Sequence, residues 1–167
     1  METTGNTGHE ALTDFHTGLP NNLHWDTVLG IIFAAGARGI PLTVIMLGID
    51  RYEQWLEKQD EASVELAFSI LGEVLRSTTR QSDLAARTRE ESFAFLLLDC
   101  NLAGGRLVVD RLDGLFDPIR QQTGMSFSFG VATFNPRMSR PEDLIDAAEE
   151  ALKTAQARGE NQIEFHG

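Results

Sequence analysis

The stretch DLAARTREESFAFLLL, residues 83–98, decides the fold. Its apolar segments, Asp83–Arg87 and Phe93–Leu98, read as two strands, and the short polar run between them leaves room only for an antiparallel hairpin. The connection is unusual. A tight turn normally uses Gly, Asn or Asp to reach positive φ, and RTREESF (87–93) offers Arg89, Glu90, Glu91 and Ser92 instead. The sequence predicts an exposed hairpin tip whose charged residues something other than turn chemistry has placed.

Upstream, Asn21 and Asn22 can cap a helix in which Trp25, Val28, Leu29, Ile32 and Phe33 keep helical spacing, with Gly36, Gly39 and Pro41 to stop it. Leu42–Ile49 is a short apolar run fit for a buried strand. Val64, Phe68, Leu71 and Leu75 predict a second helix ending near residues 77–80, with a polar outward face. Downstream, Val108, Leu112, Leu115 and Ile119 mark a third helix, and MSFSFGVATF (125–134) alternates like a strand. Ser139 with Glu142 forms a capping-box pattern before a helix carrying Leu144, Ile145, Ala148, Leu152 and Ala155, with Gly159 as its C-terminal cap. Residues 162–165 close as a last strand. The expected architecture is α/β, a central mixed five-stranded sheet flanked by helices, because the hairpin must be antiparallel while helix-crossed strands can run parallel.

The chain has 167 residues, 42% of them hydrophobic, enough for one domain with a sizeable core. Residues 1–11 are polar and aperiodic and read as a tail or linker, leaving 12–167 as the domain. Cys100 is the only cysteine, so no disulfide framework or cysteine zinc site is available, and a reducing compartment, the cytoplasm, is expected. No apolar run reaches the roughly 20 residues of a membrane span, and METTGNTGHE lacks the regions of a signal peptide. The net charge of −11 repels nucleic-acid backbones and anionic membranes, so neither is expected as a partner. A small anion is not excluded, since a few arginines in one pocket make a local field that net charge does not reveal. His9, His16, His24 and His166 show no ligand spacing, and no metal site is expected from them. Phe95, Phe127, Phe129 and Phe134 read as core or sheet-face residues.

Several segments, in order, carry a family likeness over roughly residues 12–165. Asp14 followed by Thr17-Gly18-Leu19-Pro20-Asn21 is similar to an opening DxLTGLPNR, with His16 and Asn22 replacing its Leu and Arg. Ile49-Asp50 ends the first strand, Phe129-Gly130-Val131-Ala132 matches a SIGVA strand, and Ala151-Leu152 with Gly159 and Asn161 matches ALYxAKxxGRN. The chain thus resembles a GGDEF domain, the catalytic domain of diguanylate cyclases, which implies a nucleotide-cyclase-like fold. In that family two GTP molecules, one on each of two facing domains, are joined into cyclic di-GMP with a divalent metal.

The family's signature turn falls on Arg89-Glu90-Glu91-Ser92-Phe93, of which only Glu91 and Phe93 agree. Glycines there let backbone approach the phosphates, and carboxylates hold Mg²⁺ against them. Here charged Cβ-bearing residues stand at the glycine positions, Ser92 replaces the second acid, and Gly48 corresponds to the metal-binding Asp of the first strand end. By the same likeness Glu53 stands for a lysine, Leu56 and Glu65 for guanine-reading Asn and Asp, and Gln156 and Glu160 for phosphate-binding Lys and Arg. The expectation is a degenerate turn without cyclase activity or Mg²⁺ binding. Metal and charge clamps contribute several kcal/mol each to phosphoryl transfer, and each ~1.4 kcal/mol is tenfold in rate.

Arg80-Gln81-Ser82-Asp83, with five residues between Asp83 and Arg89, matches the spacing of the family's inhibitory RxxD site for cyclic di-GMP, and Arg111 falls where a neighbouring helix often adds an arginine. A guanidinium can grip a phosphate or the O6/N7 edge of guanine, and a carboxylate can accept from guanine N1–H and N2–H. The same pattern at Arg140–Asp143 is explained by helix capping. The competing reading is that Arg80 neutralises the end of the second helix and pairs with Asp83. Trp55 and Leu56 either fill a vacated guanine cavity, the preferred reading, or form an exposed apolar patch.

Three functions compete. The first is a receptor that binds cyclic di-GMP through Arg80, Asp83 and Arg111 and relays that state to a downstream protein or adjoining sensor domain. The second is an interaction or dimerisation module without nucleotide binding, a homodimer being one form. The third is a residual cyclase or GTP sensor using Glu91 and Asp50.

Overall fold

The computed structural model describes residues 11–167, so the expected tail lies, Ala11 apart, outside the described residues. The fold grows from β1 (Leu42–Ile49), in which every residue is buried. A strand can be apolar throughout only when both faces are covered, and its side chains sort by the period of two. Ile45, Leu47 and Ile49 enter one core with Phe68, Phe93, Phe116, Phe127 and Phe129. Leu42, Val44 and Met46 enter the other with Trp25, Leu29, Leu144 and Ala148. Thr43, also buried, donates through Oγ1 to the Cys100 carbonyl at 2.8 Å and lies 3.0 Å from Thr133 Oγ1.

Around this strand the remaining elements are α1 (Asn22–Ala37), α2 (Tyr52–Glu57), α3 (Glu61–Thr78), β2 (Leu84–Arg89), β3 (Ser92–Leu98), α4 (Leu102–Leu115), α5 (Asp117–Thr123), β4 (Phe127–Thr133), α6 (Pro141–Ala157) and β5 (Ile163–Phe165). The sheet order is β2-β3-β1-β4-β5. The expected five-stranded mixed sheet flanked by helices is therefore present, with antiparallel pairing everywhere except β4 against β5. The crossing through α6 is the one that returns a strand parallel to its predecessor. No helix among the described residues is long and apolar enough to cross a membrane.

Several local expectations change. The third helix is two, α4 and α5, meeting at Phe116, because Pro118 in the first turn of α5 cannot continue the hydrogen-bond ladder of α4. The short α2, whose start at Arg51 takes φ +48, carries too few periodic positions to be read from sequence. The α6 cap is not Ser139 with Glu142. Arg140 is the cap residue, and Asp143 Oδ2 accepts from the backbone N–H groups of Ser139 and Arg140 at 2.8 and 3.0 Å. Those two amides hold the Asp143 carboxyl below its ordinary value. Trp55 is buried, and its indole Nε1 donates to the Thr123 carbonyl at 2.7 Å, so it fills space between α2 and α5 and forms no exposed patch.

One contact is too close for any side chain. A Cβ on Gly130 of β4 would stand 2.2 Å from both Ala148 O and Leu152 N of α6. Backbone atoms cannot give way as a flexible side chain does, so Gly130→Ala is expected to lower stability by about 2–3 kcal/mol or more, measured as the shift in urea midpoint at unchanged slope.

Candidate functional site

The hairpin tip is narrower than its sequence suggests. Arg87 pairs with Phe93 and Arg89 with Ser92, with a bulge at Thr88, so only Glu90 and Glu91 form the turn. Ser92 is not at the tip. It is a buried strand residue opposite Gly48. Among the described residues, positive φ outside glycine occurs only at Arg51, Asp99 and Asn161, so neither turn glutamate takes the left-handed conformation that a tight primed turn demands. The bulge supplies the extra residue and twist in its place.

Arg87 holds this turn closed. Its Nε and Nη2 donate to the Glu90 carbonyl at 3.2 and 2.7 Å, and its Nη1 lies 3.4 Å from both carboxylate oxygens of Asp14. The guanidinium stacks 4.1 Å above the Phe68 ring, and the side chain is only 8% exposed. Asp14 is fixed in turn by the Thr17 amide (2.9 Å) and hydroxyl (2.7 Å). Burial would push the Asp14 carboxyl up, but the two Thr17 donors and the Arg87 charge outweigh it and hold the group below its ordinary value. Arg89 instead reaches Glu149 on α6 at 3.5 Å. The charged run thus separates into one residue that locks the turn, one that ties it to α6, and two acids at its tip.

Those acids, Glu90 and Glu91, line a cavity of about 660 Å³ together with Asp50, Glu53, Leu56, Gln156 and Glu160. Its cation is Arg51, 4.0 Å from Glu160. Asp50 is 5% exposed and its carboxylate is already taken by Ser128 Oγ (3.0 Å), Gln156 Nε2 (3.2 Å) and the Asn161 amide (2.9 Å). A Cβ on Gly48 would stand 2.7 Å from that same Gln156 nitrogen. Both Asp50 carboxylate oxygens thus accept hydrogen bonds from the protein. Among the described residues no three His, Cys, Asp or Glu side chains group so as to hold a metal ion. Glu65, named from sequence with Leu56, is exposed on α3 and does not line this cavity.

At the other end of β2 lies a second cavity of about 480 Å³, and Arg80, Asp83 and Arg111 all line it. They come from the loop after α3, the start of β2 and the middle of α4. The RQSD segment turns on itself, with the Arg80 amide donating to Asp83 Oδ2 at 3.3 Å. The Arg80 guanidinium makes no ion pair with Asp83 or with any other described residue. Arg111 Nη2, not Arg80, contacts the end of α3, through the Thr78 carbonyl at 3.3 Å. The pairing expected of a purely structural Arg80 is therefore absent. Asp99 and Cys100 share the cavity, and burial pushes the Cys100 thiol up. Neither these two nor Arg87 is marked by spacing in the sequence; the bulge and the β3–α4 loop bring them to their sites.

The Asp14–Arg87 contact has a readable pH consequence. A carboxylate held low contributes stability above its unfolded value, and that contribution disappears as pH falls through the folded value. Asp14→Asn is expected to lower stability at pH 7 and to flatten the stability loss of the wild-type chain below about pH 4. Arg87→Ala is expected to lower stability by about 1–3 kcal/mol, with urea titrations across pH measuring both.

Residues 11–162 match the family described as "Diguanylate cyclase, GGDEF domain". The probable diguanylate cyclase DgcC of Escherichia coli is 28% identical over 156 residues, 90% of this chain and 42% of that protein. Diguanylate cyclase A of Treponema denticola is 21% identical over 139 residues, 79% of this chain and 37% of that protein. The chain thus spans about two fifths of the length of these curated relatives. In solved structures the fold matches the GGDEF domain of DgcB from Caulobacter crescentus, a complex with c-di-GMP, at a TM-score of 0.84 and 18% identity, covering 93% of this chain and 96% of that one. It also matches diguanylate cyclase SiaD from Pseudomonas aeruginosa, a complex with its activator SiaC, at 0.79 and 21% identity, covering 95% and 63%. With residues 11–162 matched and the five-stranded sheet in place, the chain belongs to the GGDEF domain family.

Proposed function

We propose that this GGDEF domain is a cyclic di-GMP receptor that has lost cyclase activity, with Arg80, Asp83 and Arg111 as the ligand-binding groups. The convergence of these three side chains on one cavity of about 480 Å³, with the Arg80 guanidinium unpaired, is the observation that carries the reading. An unpaired guanidinium beside a second one can take a phosphate or a guanine edge without first breaking an ion pair. Relatives of the same fold include a domain in complex with c-di-GMP, which makes the ligand class reasonable.

The cavity at the hairpin tip supports the loss of catalysis. Glu53, Glu90, Glu91 and Glu160 oppose a triphosphate electrostatically, and Arg51 is the one cation among its lining residues. The donor set does not fit Mg²⁺, a hard ion that demands near-ideal octahedral oxygen coordination. Asp50 already accepts three hydrogen bonds, and the Gln156 amide stands where a side chain at Gly48 would project. One specific feature favours an interaction module as the second reading. Phe15 is 93% exposed on the turn that the Asp14–Thr17 hydrogen bonds fix, an apolar group presented to solvent.

Calorimetric titration of cyclic di-GMP into the chain separates these readings. Micromolar or tighter binding is expected, lost at least tenfold in Arg80→Ala and Arg111→Ala, with no heat from GTP plus Mg²⁺ and no cyclic di-GMP formed from it. Product formation would overturn the inactive reading. Silence from both nucleotides, with a stable oligomer, would leave the interaction module.

A further inference from the structure

Resting on that receptor reading, we infer that Asp99 is a specificity residue that reads a second guanine. The cavity holds two guanidinium groups, Arg80 and Arg111, and two carboxylates, Asp83 and Asp99. A cyclic dinucleotide carries two phosphates, so each carboxylate near it opposes binding unless it accepts hydrogen from the ligand. Guanine supplies that hydrogen along one edge, through N1–H and N2–H, in a spacing that suits a carboxylate. Adenine has an acceptor at N1 and no N2 amine, and leaves the carboxylate unpaired beside phosphate. The cavity's two carboxylates, Asp83 and Asp99, can each accept from one guanine edge.

Asp99 is placed for the role. It sits between the end of β3 and the start of α4, at φ +53, a left-handed conformation that costs a non-glycine residue energy and that Asp and Asn tolerate better than most. It is exposed, and its carboxylate makes no hydrogen bond or ion pair among the described residues. Asp83 differs, since its Oδ2 already accepts the Arg80 amide, a contact that orients the group for the first base. The two carboxylates lie at the same end of the hairpin, one just before β2 and one just after β3, which are neighbouring antiparallel strands.

The test compares cyclic di-GMP, cyclic GMP-AMP and cyclic di-AMP by calorimetry on the wild-type chain, Asp99→Asn and Asp99→Gly. Both replacements accept a positive φ, so the loop is preserved, and thermal unfolding checks this. The wild-type chain is expected to prefer cyclic di-GMP over cyclic GMP-AMP by roughly 5- to 150-fold, the range of one well-formed base contact. Asp99→Gly is expected to erase most of that preference while Arg80→Ala weakens all three ligands alike. A ratio unchanged in both Asp99 variants overturns the inference and leaves the receptor reading intact. A uniform gain for all three ligands also overturns it, because Asp99 would then act only by repelling phosphate. If the wild-type chain binds none of the three, the receptor reading fails and the inference falls with it.

Discussion

Burial of β1 on both faces is the constraint from which the rest follows. Leu42–Ile49 can lie in the middle of the sheet only if β3 and β4 flank it and helices cover both sides. Its ends then become the places where side chains of different elements meet. Pro41, just before it, lines the arginine-bearing cavity, while Ile49 and Asp50 line the acidic one. Eight residues of strand separate these ends by about 26 Å, so the two cavities are chemically independent in direct contact though they share the hairpin β2–β3 as a common wall.

The hairpin is also where charge is sorted. In a chain of net charge −11, five acids gather at the tip cavity and two unengaged or half-engaged arginines at the other. Arg87 belongs to neither. Its guanidinium is spent on a backbone carbonyl, a carboxylate and an aromatic face, and it is therefore a structural cation in the middle of a run that looks functional when read linearly. That fixed turn keeps Glu90 and Glu91 at the wall of the acidic cavity.

Much of the architecture was legible because it rests on periodicity. The apolar run of β1, the helical spacing of Val64, Phe68, Leu71 and Leu75, and the two segments around RTREESF each impose their own secondary structure before any tertiary contact forms. The errors fell where local signals compete. Pro118 divided what looked like one helix, and Asp143 displaced Ser139 and Glu142 as the capping partner because the chain before Pro141 is extended, at φ −132 and ψ 153 for Arg140. Such choices depend on one or two dihedral angles, which composition does not report.

By itself the sequence determined the family, the order of the elements, and the register that sets Arg80 and Asp83 a fixed distance before the turn, since all of these are carried by spacing along the chain. Only the tertiary structure decided that Arg80 remains unpaired, that Arg87 closes the turn while Arg89 leaves it for α6, and that Asp99 lines the same cavity as Arg80, Asp83 and Arg111. The physical reason is that spacing fixes neighbours within an element, whereas which cation meets which anion depends on how separate elements pack, and Coulomb attraction and hydrogen bonding act through space rather than along the chain.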